Sequence, residues 1–322
     1  MKEAADKPNA LYLVSAESGE KRRLTSPPAG ITGDTGGVIS PDGRTLAFSR
    51  VAVNTEGWIS GDVYALSLTG DYSPQGKPKR LTFDNAQGAG IAWTGNSREI
   101  VFSSSRGGSP ALWRMAVSGS ASIKPLLLSQ GQNAIYPSVS RQGSRLVYTQ
   151  RVADSSNMWL VNLSDPSQAP TELIPSSREE VSPQYSPDGR RIAFASDRSS
   201  LRHEIWVCDA DGSNPSQLFT NQLTTGYSGS PRWSPDGQRI AFDSEIDGLW
   251  QIFTVSSHGG KPRQVTRDSD NSRPSWSHDA AHSLAAQAVR HSWGRQCDAR
   301  HANWFCAIIS TECQWNRCFF PM

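Results

Sequence analysis

"SPQYSPDGRRIAFASDR" (182–198) is followed 48 residues later by "SPRWSPDGQRIAFDSEI" (230–246). A phrase repeated at that interval is the mark of a repeat architecture, so the turn inside it is the natural anchor for reading the rest. It recurs as "ISPDG" (39–43), "WTGNS" (93–97), "VSRQG" (139–143), "YSPDG" (185–189), "WSPDG" (233–237) and "WSHDA" (276–280), at offsets of 54, 46, 46, 48 and 43 residues. Five of these turns lead into an apolar segment: "TLAFS", "EIVFS", "RLVYT", "RIAFA" and "RIAFD". From Ile39, Trp93, Val139, Tyr185 and Trp233 to Phe48, Phe102, Tyr148, Phe194 and Phe242 the separation is nine residues each time. A gap that never slips implies a hairpin of fixed register, because a slip of one residue would turn every side chain to the opposite face.

Within "RIAF", Ile192 and Phe194 share one face and Ala193 takes the other, the period of two expected of a strand. The small residue suits a place where a neighbouring sheet presses close. In "SPDG", Pro presets φ, Asp tolerates the next position and Gly accepts a left-handed backbone.

A third strand carries an aromatic in each unit (Tyr12, Tyr64, Trp113, Trp159, Trp206, Phe253), and a fourth ends near 25, 82, 127, 174, 219 and 266. Four short strands in about 45 residues read as one blade of a β-propeller. With the strands lettered A to D, five complete sets run 37–82, 90–127, 136–174, 182–219 and 230–266. Strands C and D at 11–25 and strand A at 273–277 are left over, and together they predict a sixth blade shared by both ends of the chain. The expectation is an all-β, six-bladed propeller whose closing blade is incomplete. Ala280 and Ala285 stand where the turn Gly and the strand-B aromatic should be. Such a blade is expected to close weakly and to pair with other chains.

The domain reading is an N-terminal arm at 1–9, a propeller at 10–280 and an aberrant tail at 281–322. In the tail the repeat grammar stops, and Cys297, Cys306, Cys313 and Cys318 crowd together. Either the tail is a genuine appendage, with Asp279 capping a short helix that carries Leu284, Ala288 and Val289, or it has left the original reading frame.

Composition supports many short strands: of 322 residues 36% are apolar, with 27 Gly, 20 Pro and 11 Trp. The net charge of +2 is scattered, with no basic stripe to suggest nucleic acid. No run approaches the roughly 18 apolar residues of a membrane span. "MKEAADKPNA" has no apolar core to serve as a secretory signal, so a periplasmic location is expected only if a parent protein carries a signal or span. A single Cys, Cys208, in the first 280 residues excludes a disulfide framework for the body.

Catalytic and metal motifs fail on inspection. "DADGSN" (209–214) resembles the start of a calcium loop, but Thr220 stands where the loop's last carboxylate belongs, and a polar C–D turn explains it better. "GYSGS" (226–230) is not a nucleophile elbow, His203-Glu204 is not a helical zinc motif, and the late cysteines match no zinc spacing. Neither cofactor, metal nor catalytic residue is expected, and the chain is read as a non-enzyme. Ser49-Arg50, Ser104–Arg106 and Ser196–Arg198 follow strand B. They read as ties from the B–C turns to neighbouring backbone, with an anion-binding ring of arginines as the alternative.

Propellers bind through loops that differ while the scaffold repeats. The D-to-A connections hold the channel-mouth candidates: Asn85, Gln132, Arg178, Glu179, Glu180, Tyr227, Asp270 and Asn271.

The combination "P-x-W-S-P-D-G-x-x-I-A-F-x-S-x-R … I-W-V … G-S-N-P … Q-L", over roughly residues 10 to 280, resembles the TolB-type (WD40-like) propeller repeat. That resemblance implies a bacterial envelope propeller binding protein or peptide partners at its channel mouth. It is also similar to the C-terminal propeller of winged-helix transcriptional regulators, which would make this a regulator fragment. A monomeric, non-catalytic scaffold for protein interaction or sensing is therefore expected. The alternative is the gating propeller of a prolyl-oligopeptidase-like serine peptidase without its hydrolase domain.

Overall fold

The computed structural model describes residues 7–53, 59–118, 122–126, 133–152, 155–165, 168–200, 202–219 and 226–288. The chain opens with β1 (Ala10–Ser15) and β2 (Lys21–Arg23). The first blade follows as β3 (Gly33–Ile39), β4 (Thr45–Val53), β5 (Ile59–Leu68) and β6 (Pro74–Arg80). The second is β7 (Ile91–Trp93), β8 (Glu99–Ser104), β9 (Ala111–Ala116) and β10 (Lys124–Pro125). The third is β11 (Ala134–Val139), β12 (Arg145–Val152), β13 (Ser155–Asn162) and β14 (Thr171–Glu172). The fourth is β15 (Glu180–Tyr185), β16 (Arg191–Ser196), β17 (Glu204–Asp209) and β18 (Ser216–Gln217). The fifth is β19 (Ser228–Trp233), β20 (Arg239–Ile246), β21 (Leu249–Ser256) and β22 (Arg263–Gln264), after which come β23 (Asp270–Trp276) and β24 (His282–Ala288).

Each blade is an antiparallel sheet in chain order, and the last strands join the first in a composite sheet ordered β2-β1-β24-β23. The innermost strands β3, β7, β11, β15, β19 and β23 each touch the next, and β23 returns to β3. This all-β ring corrects the expected six-bladed propeller with an incomplete closing blade: five blades are cut from continuous chain, and the sheet that closes the ring is a composite holding all four strands. β24 pairs with β1 over Ala10↔Gln287 to Ser15↔His282 and with β23 over Asp270↔Ala288 to Trp276↔Ser283. The predicted weak closure is corrected with it, because pairing needs backbone groups in register and not the missing aromatic. Leu284 and Ala288 lie on this strand and not on a helix, and the sheet runs eight residues past the expected boundary at 280. Val289 and the four late cysteines lie outside the described residues.

The "SPDG" grammar has a direct physical cause. In the fourth blade the Ser186 hydroxyl donates to Asp188 (2.6 Å) and accepts the Arg191 amide (2.9 Å), while Gly189 closes the turn onto the Ser186 carbonyl (2.9 Å). The closing turn repeats this with Ser277, Asp279 and the His282 amide, and Ala280 takes the Gly place at φ +59°.

The inter-blade cores explain the Ile-Ala-Phe alternation. Phe48, Phe102, Tyr148, Phe194 and Phe242 are fully buried, each on the large-residue face of its blade. Opposite them come the small residues: Ala193 and Ala195 meet Trp233, Ile240 and Phe242 of the fifth blade, and Ala47 meets Trp93, Ile100 and Phe102 of the second. Leu11 and Leu13 from the N-terminal strand pack on Leu46, Phe48 and Leu66, so the composite sheet joins the same sequence of cores. Burying each such side chain contributes roughly 1.5–3 kcal/mol.

Two outcomes follow. Phe242 stacks on Phe219 and Phe253 with centroids 5.0 and 5.5 Å away, so Phe242→Ala is expected to lower unfolding free energy by about 3–5 kcal/mol in urea denaturation. Ala280 holds a left-handed backbone, so Ala280→Gly is expected to raise stability by about 1 kcal/mol in the same measurement.

Candidate functional site

Strand A begins and strand B ends at the same edge of each blade, as Glu180↔Ser196 shows, so the D-to-A loops and B–C hairpins share one face of the disc. On that face the B-C hairpins differ in height. Strand B has nine residues in the first blade and eight in the third and fifth, but six in the second and fourth. Among the described residues the exposed large apolar side chains are Val53 (45%), Phe83 (74%) and Val152 (57%), and all three lie on this face.

The B–C arginines are anchored. Arg50 pairs bidentately with Asp34 (2.7 and 2.9 Å), Arg106 with Asp84 (3.1 Å) and Arg198 with Glu180 (2.7 Å). Each guanidinium also lies over two aromatics of its own blade: Arg50 on Phe48 and Tyr64, Arg106 on Phe102 and Trp113, Arg198 on Phe194 and Trp206. The expected ties to neighbouring backbone are thus ties to carboxylates and rings. These three cations are already matched, which removes them as an anion-binding ring.

Of the rim candidates, Asn85 and Arg178 are exposed, and Glu179, Tyr227 and Asp270 are half-buried. Glu180 and Asn271 are fully buried and hold the rim from beneath. Asn271 donates to the Asp268 and Ser269 carbonyls and accepts from Lys21 (2.8 Å). Asp270 accepts the Trp250 amide (2.7 Å). Gln132 lies outside the described residues. One group does converge: Glu179 Oε2 is 3.1 Å from His203 Nε2, and the Tyr227 ring is 6.2 Å from the His203 ring. It sits beside Arg178 where the loops of the fourth and fifth blades meet. Asn85 and Asp270 belong to other blades and stand apart from it.

Burial pushes the Glu180 carboxyl above its ordinary value, against the pull of the Ser176 hydroxyl and Arg198. The Cys208 thiol is pushed up to about 12 by burial, so it is inert at neutral pH. "DADGSN" is the turn between β17 and β18, where Asp209 and Asp211 accept bonds from Ser213 and Asn214.

A second polar group was not apparent from motifs. On the inner strands, one register position holds Val38, Ala92, Ser138, Gln184, Arg232 and Ser275 in successive blades. A second holds Gly36, Gly90, Tyr136, Ser182, Ser230 and Arg273, every one at positive φ between 48° and 92°, a bulge repeated around the ring. On strand B, Ser49, Ser103, Thr149 and Ala195 give way to a buried Asp243 in the fifth blade. Burial lowers Arg232 to about 10 while Asp243 and Tyr136 favour its charge and Arg273 opposes it. Tyr136 belongs to β11 and Arg232 to β19, with β15 between them, so the influence comes from an inner strand that is not a neighbour. Comparison of aligned positions between blades is the signal that would have found this group.

The fold and repeat now meet their relatives. Residues 123–294 match the TolB beta propeller domain family, more than half of the chain, and the chain belongs to that family. Among solved structures it is similar to a putative TolB from Agrobacterium tumefaciens, at 18% identity and a TM-score of 0.71 over 88% of this chain and 99% of that one. It is also similar to the tricorn protease, at 20% identity and 0.62, over 81% of this chain and 25% of that one. A puromycin-hydrolyzing peptidase of Mycobacterium tuberculosis is matched at 16% identity and 0.54, over 81% of this chain and 42% of that one.

Arg198→Ala is expected to cost about 3–5 kcal/mol in denaturant unfolding, because it leaves the Glu180 carboxyl buried without its cation. The unfolded chain's glutamate ionises before the native one does. Stability is therefore expected to fall as pH rises from the ordinary glutamate range to the raised native value, and Glu180→Gln is expected to flatten that slope.

Proposed function

We propose that this chain is a non-catalytic protein-binding propeller that engages its partner on the face of the D-to-A loops and B–C hairpins. The observation that carries this reading is that Val53, Phe83 and Val152, the exposed large apolar side chains among the described residues, all lie on that one face. A single exposed apolar side chain means little, but all three on one face, with none on the other among the described residues, mark the side a partner would cover. Raised hairpins around a ring give such a partner a recessed centre to fit. Arg178, Glu179 and Tyr227 supply a polar border between the fourth and fifth blades, with Asn85 and Asp270 further round. Membership of the TolB propeller family supports a role in the bacterial cell envelope, or as the sensing part of a regulator.

A second reading is favoured by the peptidase likenesses, in which a chain of this size corresponds to only part of a longer protein. The disc would then gate substrate entry to a hydrolase unit, still without catalytic residues of its own.

Affinity capture of envelope proteins with the purified chain tests the proposal. Phe83→Ala and Tyr227→Ala are each expected to weaken capture about tenfold, and Arg178→Ala more modestly. Capture unchanged by all three would discard this face. No turnover of peptide or ester substrates is expected, and measurable turnover would discard the non-catalytic reading.

A further inference from the structure

The repeat departs from itself most sharply at three neighbouring positions, Arg232, Arg273 and Asp243. The inner-strand neutrals Val38, Ala92, Ser138, Gln184 and Ser275 share the register of Arg232, and Gly36, Gly90, Tyr136, Ser182 and Ser230 share that of Arg273. A scaffold residue repeats because every blade packs alike; a departure confined to one sector of the wall calls for another cause.

Structural duty does not account for these two guanidiniums. Asp243 accepts the Arg273 backbone amide (2.8 Å), and the two guanidiniums act on its carboxylate through space, beyond ion-pair distance. The Arg273 Nη1 turns away to the Thr35 hydroxyl (3.3 Å) on the neighbouring inner strand, and Arg232 Nη1 donates to the Pro231 carbonyl (2.7 Å). Neither makes an ion pair with a carboxylate among the described residues. Both keep partial exposure on strands that line the ring's interior. Each guanidinium carries five N–H donors, of which one is spent among the described residues. Arg273 also holds φ +55°, a backbone state that a bulky residue adopts at a cost, where two other blades use Gly.

We propose that Arg232 and Arg273 form an anion site inside the channel that takes a carboxylate, with Asp243 fixing the Arg273 backbone behind it. Two forked donors on adjacent strands suit the paired oxygens of a carboxylate, which accepts bonds from both at once. Tyr136, on the inner strand β11, lies near enough to act on the Arg232 charge. The carboxylate comes either from a small organic acid or from the end of an entering peptide. The peptide source rests on the protein-binding reading above; the site itself does not.

Isothermal titration at low salt, with sodium succinate, trialanine and C-terminally amidated trialanine, tests this. Two substitutions copy residues that other blades carry at the same register: Arg232→Gln, as Gln184, and Arg273→Gly, as Gly36 and Gly90. Each is expected to weaken succinate binding at least about tenfold, while Lys261→Ala, in the exposed turn between β21 and β22, leaves it unchanged. Succinate binding alone upholds the site and assigns a free acid; trialanine binding that amidation abolishes upholds it and assigns a chain terminus. Arginine modification by phenylglyoxal, read by mass spectrometry on the unaltered chain, is expected to slow at Arg232 and Arg273 when succinate is present. That measurement stands even if a variant fails to fold. Absence of binding by both acids, binding indifferent to both substitutions, or no protection of either arginine would overturn the site, whatever the capture experiment shows for the outer face.

Discussion

The structure depends on a sheet-to-sheet contact in which a small-residue face meets a large one. On strand B the two faces alternate residue by residue, so Ala193 turns toward the fifth blade while Ile192 and Phe194 turn toward the third. The contact is directional: every blade offers a flat side to the next and receives the bulk of the one that follows. A stack with such polarity has no natural end until it curves back on itself. The ring form thus follows from a choice of side-chain volume made at three consecutive positions, with close packing enforcing it.

That choice was legible because it is written at a fixed distance from a turn. The nine-residue interval from the apolar residue before the turn to the strand-B aromatic is a covalent length, and a hairpin of that length admits one register. The closing strand was harder to read. Ser283, Leu284 and Ala285 reverse the apolar pattern, yet Leu284 still pairs with Ser275 as Ala241 pairs with Arg232. Backbone pairing between two waiting edges decided that strand, and edges contributed by both ends of the chain leave no local trace in composition. The rim was half legible. Loops could be located, and Glu179 and Tyr227 both approach His203, but nothing in the spelling of Glu180 or Asn271 tells that their side chains are buried. Arg232, Arg273 and Asp243 escaped because a motif search looks for what recurs, and these are the positions that do not.

The two polar groups divide the molecule's chemistry by depth. At the outer face, carboxylates, guanidiniums and rings satisfy one another, and apolar side chains remain uncovered. Deeper in, along the inner strands of the fifth blade and the composite sheet, Arg232 and Arg273 make no ion pair among the described residues. As proposed, a partner would be recognised by the outer rim and an anion by the guanidiniums of β19 and β23, separate residues on separate elements.

The composite sheet also governs the order in which the molecule can be finished. During synthesis β1 emerges long before β24 and must remain without that partner until the polypeptide has grown past Ala288, nearly the full circuit later. Five sheets can assemble in sequence while two surfaces persist uncovered, the hydrogen-bonding edge of β1 and the packing face of the most recent blade. For that interval the nascent chain presents hydrogen-bonding edges of the kind that chaperones shield and neighbouring polypeptides invade.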